Sequence, residues 1–302
     1  MKYLFIFALV LSVSSCSRSP RNTSNSAYYW TTSFQWSEAK TNFVERNNIC
    51  RIYMRFFDVV LNDEGRPVPN ATVDFIDSVP EKLEVVPTVY IMNECMSIKV
   101  DSLHRLIADR VLQMCETHDV PNVNEIQIDC DWTARTQENF FRFMNLLKDY
   151  LSEKHIQLSA TIRLHQLSKD APPADRGVLM VYNTGDVTNP ECQNPILDYK
   201  DVKPFLKNLN KYDLPLSAAY PVFSWDVLYR NGRFVGIQHY ENEFPVIHGD
   251  TIKHIQPAVD EVLHVKTAVG KYAPQINDET IIFDLSDKNI ADQNVGKIFT
   301  KQ

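Results

Sequence analysis

Glycine is scarce in this chain, and one position that lacks it is informative about the architecture. The sequence has 8 glycines among 302 residues, and no Gly-rich phosphate-binding loop follows the first predicted strand. An open doubly wound sheet that binds a dinucleotide carries such a loop between its first strand and helix. That architecture therefore ranks second here, and we predict no cofactor.

Cysteines are few and lack the spacing of a metal site. No C-x-x-C pair and no His/Cys cluster occurs in the sequence, so we predict no metal. Setting Cys16 aside leaves an odd number, which cannot be fully paired within one chain. We interpret the five as mainly small buried hydrophobic residues: Cys50, Cys95, Cys115, Cys130 and Cys192.

Positive charge is also in short supply. The formal net charge is −7, and phosphate backbones are bound by basic surfaces, so we predict no nucleic-acid partner. The chain is 44% hydrophobic and 23% charged, which is ordinary for a folded soluble protein. Beyond the first residues no segment approaches the roughly 20 apolar residues that a membrane span needs.

The N-terminus has the pattern of an export signal. Lys2 precedes an almost unbroken apolar run over 3–13, which is too short to span a bilayer and has the length of a signal-peptide core. The run ends in Val-Ser-Ser-Cys at 13–16, which resembles a bacterial lipobox. We predict a signal peptide over 1–15 and a lipid anchor at Cys16. The alternative is a plain secretory peptide with an incidental cysteine.

The residues after Cys16 predict a tether and then one folded unit. The polar stretch that ends at Ser26 has no apolar period, so 16–26 is predicted to be anchor and tether. Stable membrane anchoring needs two lipid signals, and the diacylated cysteine of a lipoprotein, which usually carries a third chain, exceeds that threshold. The protein is then expected in the cell envelope, on the outer membrane if the source is Gram-negative. Residues 27–302 are predicted to form a single domain.

Strand-like and helix-like segments alternate along that domain. Repeated β-α units imply a parallel sheet, and at this length an α/β fold of the (β/α)8 TIM type is the leading architecture. An Asn231-Gly232 pair between apolar runs in 224–250 predicts a β-hairpin inserted near the seventh strand. The predicted strands are 27–30, 50–60, 84–92, 125–132, 157–164, 177–182, 214–220 and 280–285. The predicted helices are 37–47, 100–118, 136–154, 201–212 and 251–270.

Two aspartates end the predicted fourth strand on the same face. Side chains alternate along a strand, so Asp129 and Asp131 point the same way at the end where barrel active sites are built. Two neighbouring carboxylates are what glycoside hydrolysis commonly requires. The alternative is a structural role for both. Arg163, on the polar face of the next strand, is a natural counter-charge, and His165 follows it on the same face.

Two short motifs in this region resemble a known family. The stretch 128–132, Ile-Asp-Cys-Asp-Trp, is similar to the fourth-strand motif D-x-x-D-x-D-x-E of family-eighteen chitinases and related endoglycosidases. The stretch 180–183, Met-Val-Tyr-Asn, resembles the Met-x-Tyr-Asp/Asn element of their sixth strand. The resemblance implies that Asp131 orients an acetamido group of the substrate, with Tyr182 as its hydrogen-bonding partner.

The chain departs from that motif where the family has its acid. Thr133 stands at the position of the catalytic glutamate, and Ile126 at that of the first aspartate. The family's proton donor therefore cannot be carried over. Asp58, Glu94 and Asp226 lie near other predicted strand ends and are alternative acids. Aromatic residues at similar ends suit stacking on sugar rings or simply core packing: Trp30, Trp132, Tyr182, Tyr220 and Trp225.

These features predict a protein that hydrolyses or binds a carbohydrate in the cell envelope. If it is an enzyme, Asp129 and Asp131 are the catalytic carboxylates. The alternative is a non-catalytic glycan-binding or assembly lipoprotein on the same fold. The predicted substrate-binding residues are Arg163, His165, Tyr182, Asn183 and Trp225.

The lipobox can be tested directly. Cys16→Ser removes the thiol that would carry the lipid, so we expect the variant to lack fatty acid and to remain unprocessed or mislocalised. Metabolic labelling with a fatty-acid analogue, followed by fractionation, measures both effects. Equal labelling of the wild type and the variant would show that Cys16 is not the anchor.

Overall fold

The computed structural model describes residues 23–99, 101–238 and 243–300. The predicted signal peptide and Cys16 lie outside these ranges. The predicted tether falls inside only at its end, where the first strand begins at Ser24 rather than at Ala27. Within the described part of the chain, no helix is both long and apolar enough to cross a membrane.

Eight parallel strands form a closed barrel, which confirms the predicted (β/α)8 TIM-type fold. The barrel closes because the first strand pairs in parallel with both the last strand and the second one. We label the barrel strands in chain order: β1 Ser24–Tyr29, β2 Ile49–Leu61, β3 Glu84–Ile91, β4 Glu125–Asp129, β5 Gln157–Arg163, β6 Arg176–Met180, β7 Leu216–Pro221 and β8 Glu279–Phe283.

Amphipathic helices cover the outside of the barrel. The helix predicted over 136–154 forms over Gln137–Ser152 and buries one apolar stripe, as a 3.6-residue period requires. The α-helices of the described residues are α1 Glu38–Arg46, α2 Leu103–Thr117, α3 Gln137–Ser152, α4 Tyr199–Leu206, α5 Val259–Tyr272 and α6 Asp287–Ile290. Short 3-10 helices span Asn93–Ser97, Leu164–Ser168, Leu209–Lys211 and Gln293–Phe299.

Two connections depart from a strict β-α alternation. Between β2 and β3 the chain forms the short strands Pro67–Asn70 and Asp74–Phe75, which pair with the end of β2 and with Ser33–Phe34. Between β5 and β6 it forms only the 3-10 helix Leu164–Ser168. Both connecting segments are described throughout, and neither contains an α-helix.

The predicted insertion after β7 is a three-stranded antiparallel sheet. Strand Trp225–Arg230 pairs with Arg233–Gln238 and with Asp250–Ile255. Asn231 and Gly232 form the two-residue turn with positive φ angles of 49° and 73°, which asparagine and glycine tolerate best. The hairpin prediction is thus confirmed.

One predicted helix begins too early. The stretch predicted as a helix over 251–270 starts as the third strand of the insertion, and α5 begins only at Val259. Pro257 separates the two elements, because the residue before a proline is driven out of the helical region. Cross-strand pairing with Trp225–Arg230 outweighs the helical period of the preceding residues.

Charged side chains fill the end of the barrel where the strands begin. Arg176 lies 3.4 Å from a Glu125 oxygen and also pairs with Glu279. Arg51 lies 3.5 Å from Glu279 and 3.7 Å from Glu125. Ser26 donates a 2.6 Å hydrogen bond to Glu279. Each charge in this layer is therefore balanced by an opposite charge that reaches across the interior from a non-adjacent strand, as a low-dielectric interior requires.

A polar and aromatic layer lies above the charged one. Tyr28 and Tyr53 stack with ring centroids 4.9 Å apart, and both are fully buried. The Tyr28 hydroxyl donates to Gln127 over 2.6 Å, and the Tyr53 hydroxyl donates to Glu279 over 3.1 Å. The two layers close the barrel interior, so a ligand can enter only from the opposite end.

Glu279 should be a main stabilising group of the charged layer. Glu279→Ala leaves Arg51 and Arg176 short of an anion in a buried site, so we expect a loss of about 3–5 kcal/mol of unfolding free energy. Glu84→Ala is the matched control, since Glu84 also binds Arg51 but is 26% exposed. We expect it to cost no more than about 1 kcal/mol. Urea denaturation measures both, and equal effects would contradict the assignment.

The same carboxylate makes stability depend on pH. Burial by itself would raise the pKa of Glu279, but the guanidinium groups of Arg176 and Arg51 outweigh burial and hold this pKa below its ordinary value. Its stabilisation is present above the pKa of an unfolded glutamate and is lost as the pH falls through the lower folded pKa. The stability difference between the wild type and Glu279→Ala should therefore shrink under acid conditions.

Candidate functional site

An open cavity of about 550 Å³ lies at the barrel end where the strands finish. Residues within or just after the barrel strands line it, together with residues of the insertion and of α6. The aromatic lining residues are Trp30, Tyr90, Tyr182, Phe223, Trp225 and Phe283. The charged lining residues are Arg55, Asp58, Asp129, Arg163, Asp284 and Lys288. This combination of ring faces with a few convergent polar groups is typical of a small-molecule site.

Arg163 holds the two aspartates that the sequence singled out. Its Nη2 donates to Asp129 over 3.0 Å and its Nε donates to Asp131 over 2.5 Å. Thr161 donates a further 2.5 Å bond to Asp129. The expected ion pairing across β4 and β5 is thus confirmed, while the catalytic role of the aspartates stays a prediction.

The two aspartates differ in their surroundings. Asp129 is 4% exposed, and burial raises its pKa against the opposing charge of Arg163. The Asp131 side chain is 51% exposed and lies just beyond the end of β4. A carboxyl in the first setting can hold a proton at higher pH than usual, whereas one in the second is solvated.

Tyr182 and Asn183 follow β6 and line the cavity, next to Arg163. The Tyr182 ring packs on Phe283 at 5.0 Å and on Phe223 at 5.7 Å, which fixes its orientation. Burial raises the Tyr182 pKa, so the hydroxyl stays protonated. Asn183 has a φ of 56°, a left-handed conformation that asparagine tolerates better than most residues.

A second ion pair, from β2, also lines the cavity. Arg55 Nε donates to Asp58 Oδ1 over 2.8 Å, and Arg55 Nη2 donates to Asp58 Oδ2. Residues three apart in a regular strand face opposite ways, but the pairing of β2 with β3 shifts register between Arg55 and Phe57. This bulge brings the two side chains together. The Arg55 guanidinium lies 5.8 Å from the Trp30 ring centroid.

Asp284 was missed by sequence reasoning because no motif surrounds it. It follows β8 and accepts hydrogen bonds from the Asn289 side chain at 2.6 Å and from the Ser286 backbone at 3.2 Å. Burial raises its pKa, against these hydrogen bonds. Its place near the end of the strand predicted over 280–285 was the available signal.

Several residues expected at the mouth lie elsewhere. His165 is exposed on the 3-10 helix Leu164–Ser168 and does not line the cavity, because β5 ends at Arg163 and the alternation of faces stops there. Trp132 is buried and packs on Phe140 and Phe141. Tyr220 is buried and donates to Asn277. These aromatic side chains belong to the core.

The alternative acids are also partly displaced. Asp58 reaches the cavity, but Glu94 lies on the 3-10 helix Asn93–Ser97 and Asp226 contacts His254 at 2.7 Å within the insertion. Thr133 is exposed, and its backbone N–H is bonded to the Thr136 hydroxyl. No group of three or more His, Cys, Asp or Glu residues within the described ranges is arranged to hold a metal ion.

The two aspartates should respond differently to loss of charge. Asp129→Asn leaves the largely buried Arg163 without its nearest buried anion, so we expect a loss of about 3 kcal/mol. Asp131→Asn breaks a pair with one exposed partner and should cost no more than about 1 kcal/mol. Denaturant midpoints measure the difference. A larger effect at Asp131 would contradict the burial argument.

Several solved structures have a fold similar to that of this chain. A chitinase from Bacteroides thetaiotaomicron is 14% identical, with a TM-score of 0.61 over 93% of this chain and 97% of its own. A chitinase from Chromobacterium violaceum is 12% identical, with a TM-score of 0.59 over 93% of this chain and 100% of its own. A chitinase-like agglutinin from Robinia pseudoacacia is 10% identical, with a TM-score of 0.55 over 91% of this chain and 99% of its own. No family model and no curated protein matches the sequence. The chain therefore shares the (β/α)8 barrel fold of family-eighteen chitinases.

Proposed function

We propose that this protein is a cell-envelope lipoprotein that binds a carbohydrate in the mouth cavity without hydrolysing it. The cavity offers ring faces, on which the apolar faces of a sugar can pack, and polar groups that can bond its hydroxyls. The barrel fold adds support by analogy, because its structural neighbours include chitinases and a chitinase-like agglutinin.

The pairing of the cavity carboxylates with arginines is the observation that favours binding over hydrolysis. Glycoside hydrolysis needs a protonated carboxyl aimed at the glycosidic oxygen and a second group that acts as base or nucleophile. Both Asp58 oxygens are taken by Arg55, and Asp129 and Asp131 share Arg163. Thr133 stands where the similar motif of family-eighteen chitinases has its catalytic glutamate.

Asp284 does not change this conclusion. Its carboxyl is buried and accepts hydrogen bonds from Asn289 and Ser286. Among the described residues, each carboxylate that lines the cavity therefore has a cationic or hydrogen-bonding partner within the protein. Such groups fix the shape of a site but are poorly placed to donate a proton to a ligand.

In this proposal Trp225 supplies a ring face for the ligand and Arg163 supplies hydrogen-bond donors. Trp225 is half-buried at the base of the insertion and packs on Phe223 at 5.6 Å, so its ring is fixed before a ligand arrives. A preorganised ring loses little freedom on binding. Arg163, Tyr182 and Asn183 supply donors and acceptors around it.

Anchoring at Cys16 is the second part of the proposal and rests on the lipobox resemblance and the apolar run before it. An anchored barrel would hold the carbohydrate site at the membrane. The outer membrane is the expected location if the source is Gram-negative.

A glycan array combined with a hydrolysis assay tests the site. We expect the protein to bind chito-oligosaccharides, the first probe because its neighbours are chitinases, and to release no reducing ends. Trp225→Ala should weaken binding at least about ten-fold, since burying an aromatic face contributes about 1.5 kcal/mol or more. Trp36→Phe is a matched control outside the cavity, and melting temperatures exclude unfolding.

Hydrolysis would overturn the non-catalytic part of this proposal. Release of reducing ends by the wild type that is lost in Asp131→Asn, with folding intact, would make the protein a glycoside hydrolase with these aspartates at its centre. Binding to no carbohydrate on the array would overturn the proposal as a whole.

A further inference from the structure

A second large groove lies at the opposite end of the barrel from the mouth cavity. It has a volume of about 450 Å³ and sits where β7 and β8 begin. Leu214, Leu216, Pro274 and Ile276 line it, and Tyr272 at its edge is 43% exposed. Tyrosine combines an apolar ring with a polar tip and is enriched where membranes meet water.

The chain enters the barrel beside this groove. The Ser24 backbone N–H donates to the Asp278 carbonyl over 2.8 Å, and Asp278 lies two residues after Ile276. Residues 17–23 separate Ser24 from Cys16. At about 3.3–3.6 Å per residue, these seven residues span at most about 25 Å. A lipid on Cys16 would therefore keep this end of the barrel close to the bilayer.

The segments that form the groove are locally basic in an acidic protein. Within 207–216 and 271–276, both described throughout, the charged residues are Lys207, Lys211 and Lys271 against Asp213. The lysines are exposed, and none has an ion-pair partner among the described residues. The chain as a whole carries a net charge of −7. Local positive charge beside an anchor favours contact with anionic lipid headgroups.

We propose that the groove face, defined as 207–216 with 271–276, docks on an anionic phospholipid surface. The proposal rests on the lipidation of Cys16 proposed above. Docking places Tyr272 at the level of the headgroups, with the three lysines over lipid phosphates. Because the groove and the mouth cavity lie at opposite barrel ends, the carbohydrate site then opens away from the anchoring membrane. Its ligand is accordingly a glycan beyond that membrane rather than a headgroup within it.

Lysine footprinting of the full-length protein tests this orientation. The lipidated protein is reconstituted in vesicles of phosphatidylethanolamine and phosphatidylglycerol, treated with an amine-acetylating reagent and analysed by mass spectrometry. The Cys16→Ser protein in solution gives the reference reactivity. We expect acetylation of Lys207, Lys211 and Lys271 to fall about five-fold or more, since each lysine near an anionic surface shifts membrane affinity by about that factor. Lys288, at the mouth, should react as in solution.

Matched variants separate charge from simple proximity. Replacing Lys207, Lys211 and Lys271 by glutamine should abolish the protection of neighbouring backbone amides from hydrogen exchange on vesicles. The control replaces Lys99, Lys169 and Lys200, which are exposed near the other end of the barrel, and has the same net charge. The control should keep the protection that the first variant loses. Loss in both variants, or in neither, would contradict a docking contact through the groove face.

Other outcomes also decide the matter. Equal reactivity of the three lysines in solution and on vesicles, with lipid attached, would mean that the barrel is tethered without docking. Protection of Lys288 instead would reverse the orientation. Either result overturns this inference and leaves the proposed lipidation standing. Absence of lipid on the wild-type protein would overturn both.

Discussion

Closure of the parallel barrel is the constraint on which the rest of this structure depends. Alternate residues of each strand must point into an interior that holds little water, so their polar groups need partners from other strands. The charged layer around Glu279 and the tyrosine layer above it satisfy this need. They also close the interior, which leaves the end where the strands finish as the place for chemistry.

The mouth site continues the same pattern of pairing. Arg163 joins Asp129 and Asp131, and Arg55 joins Asp58, so the acidic groups in and beside the cavity serve partly to balance the cations of the barrel. Aromatic rings occupy the space between the ion pairs. A site of this kind is rigid and well shaped for recognition, whereas catalysis would require a carboxyl with fewer ties to its neighbours.

Alternation along strands predicted the central part of the site, and its failures have local causes. The pairing of Arg163 with Asp129 follows from two adjacent strands read at a period of two. His165 was misplaced because β5 ends two residues earlier. The contact between Arg55 and Asp58 depends on a register shift set by the neighbouring strand, which no local pattern records. Likewise, Asp250–Ile255 became a strand through pairing with residues twenty to thirty positions away.

The pairing of β1 with β8 has a consequence for how the molecule is made. Ser26 and Glu279, which are joined by a hydrogen bond, are 253 residues apart in the sequence. The first strand to leave the ribosome can therefore find one of its two neighbours only when nearly the whole chain has been synthesised. Contacts of such high sequence separation slow folding and prolong the exposure of strand edges. The order of the strands thus delays closure of the barrel until the C-terminal strand is available.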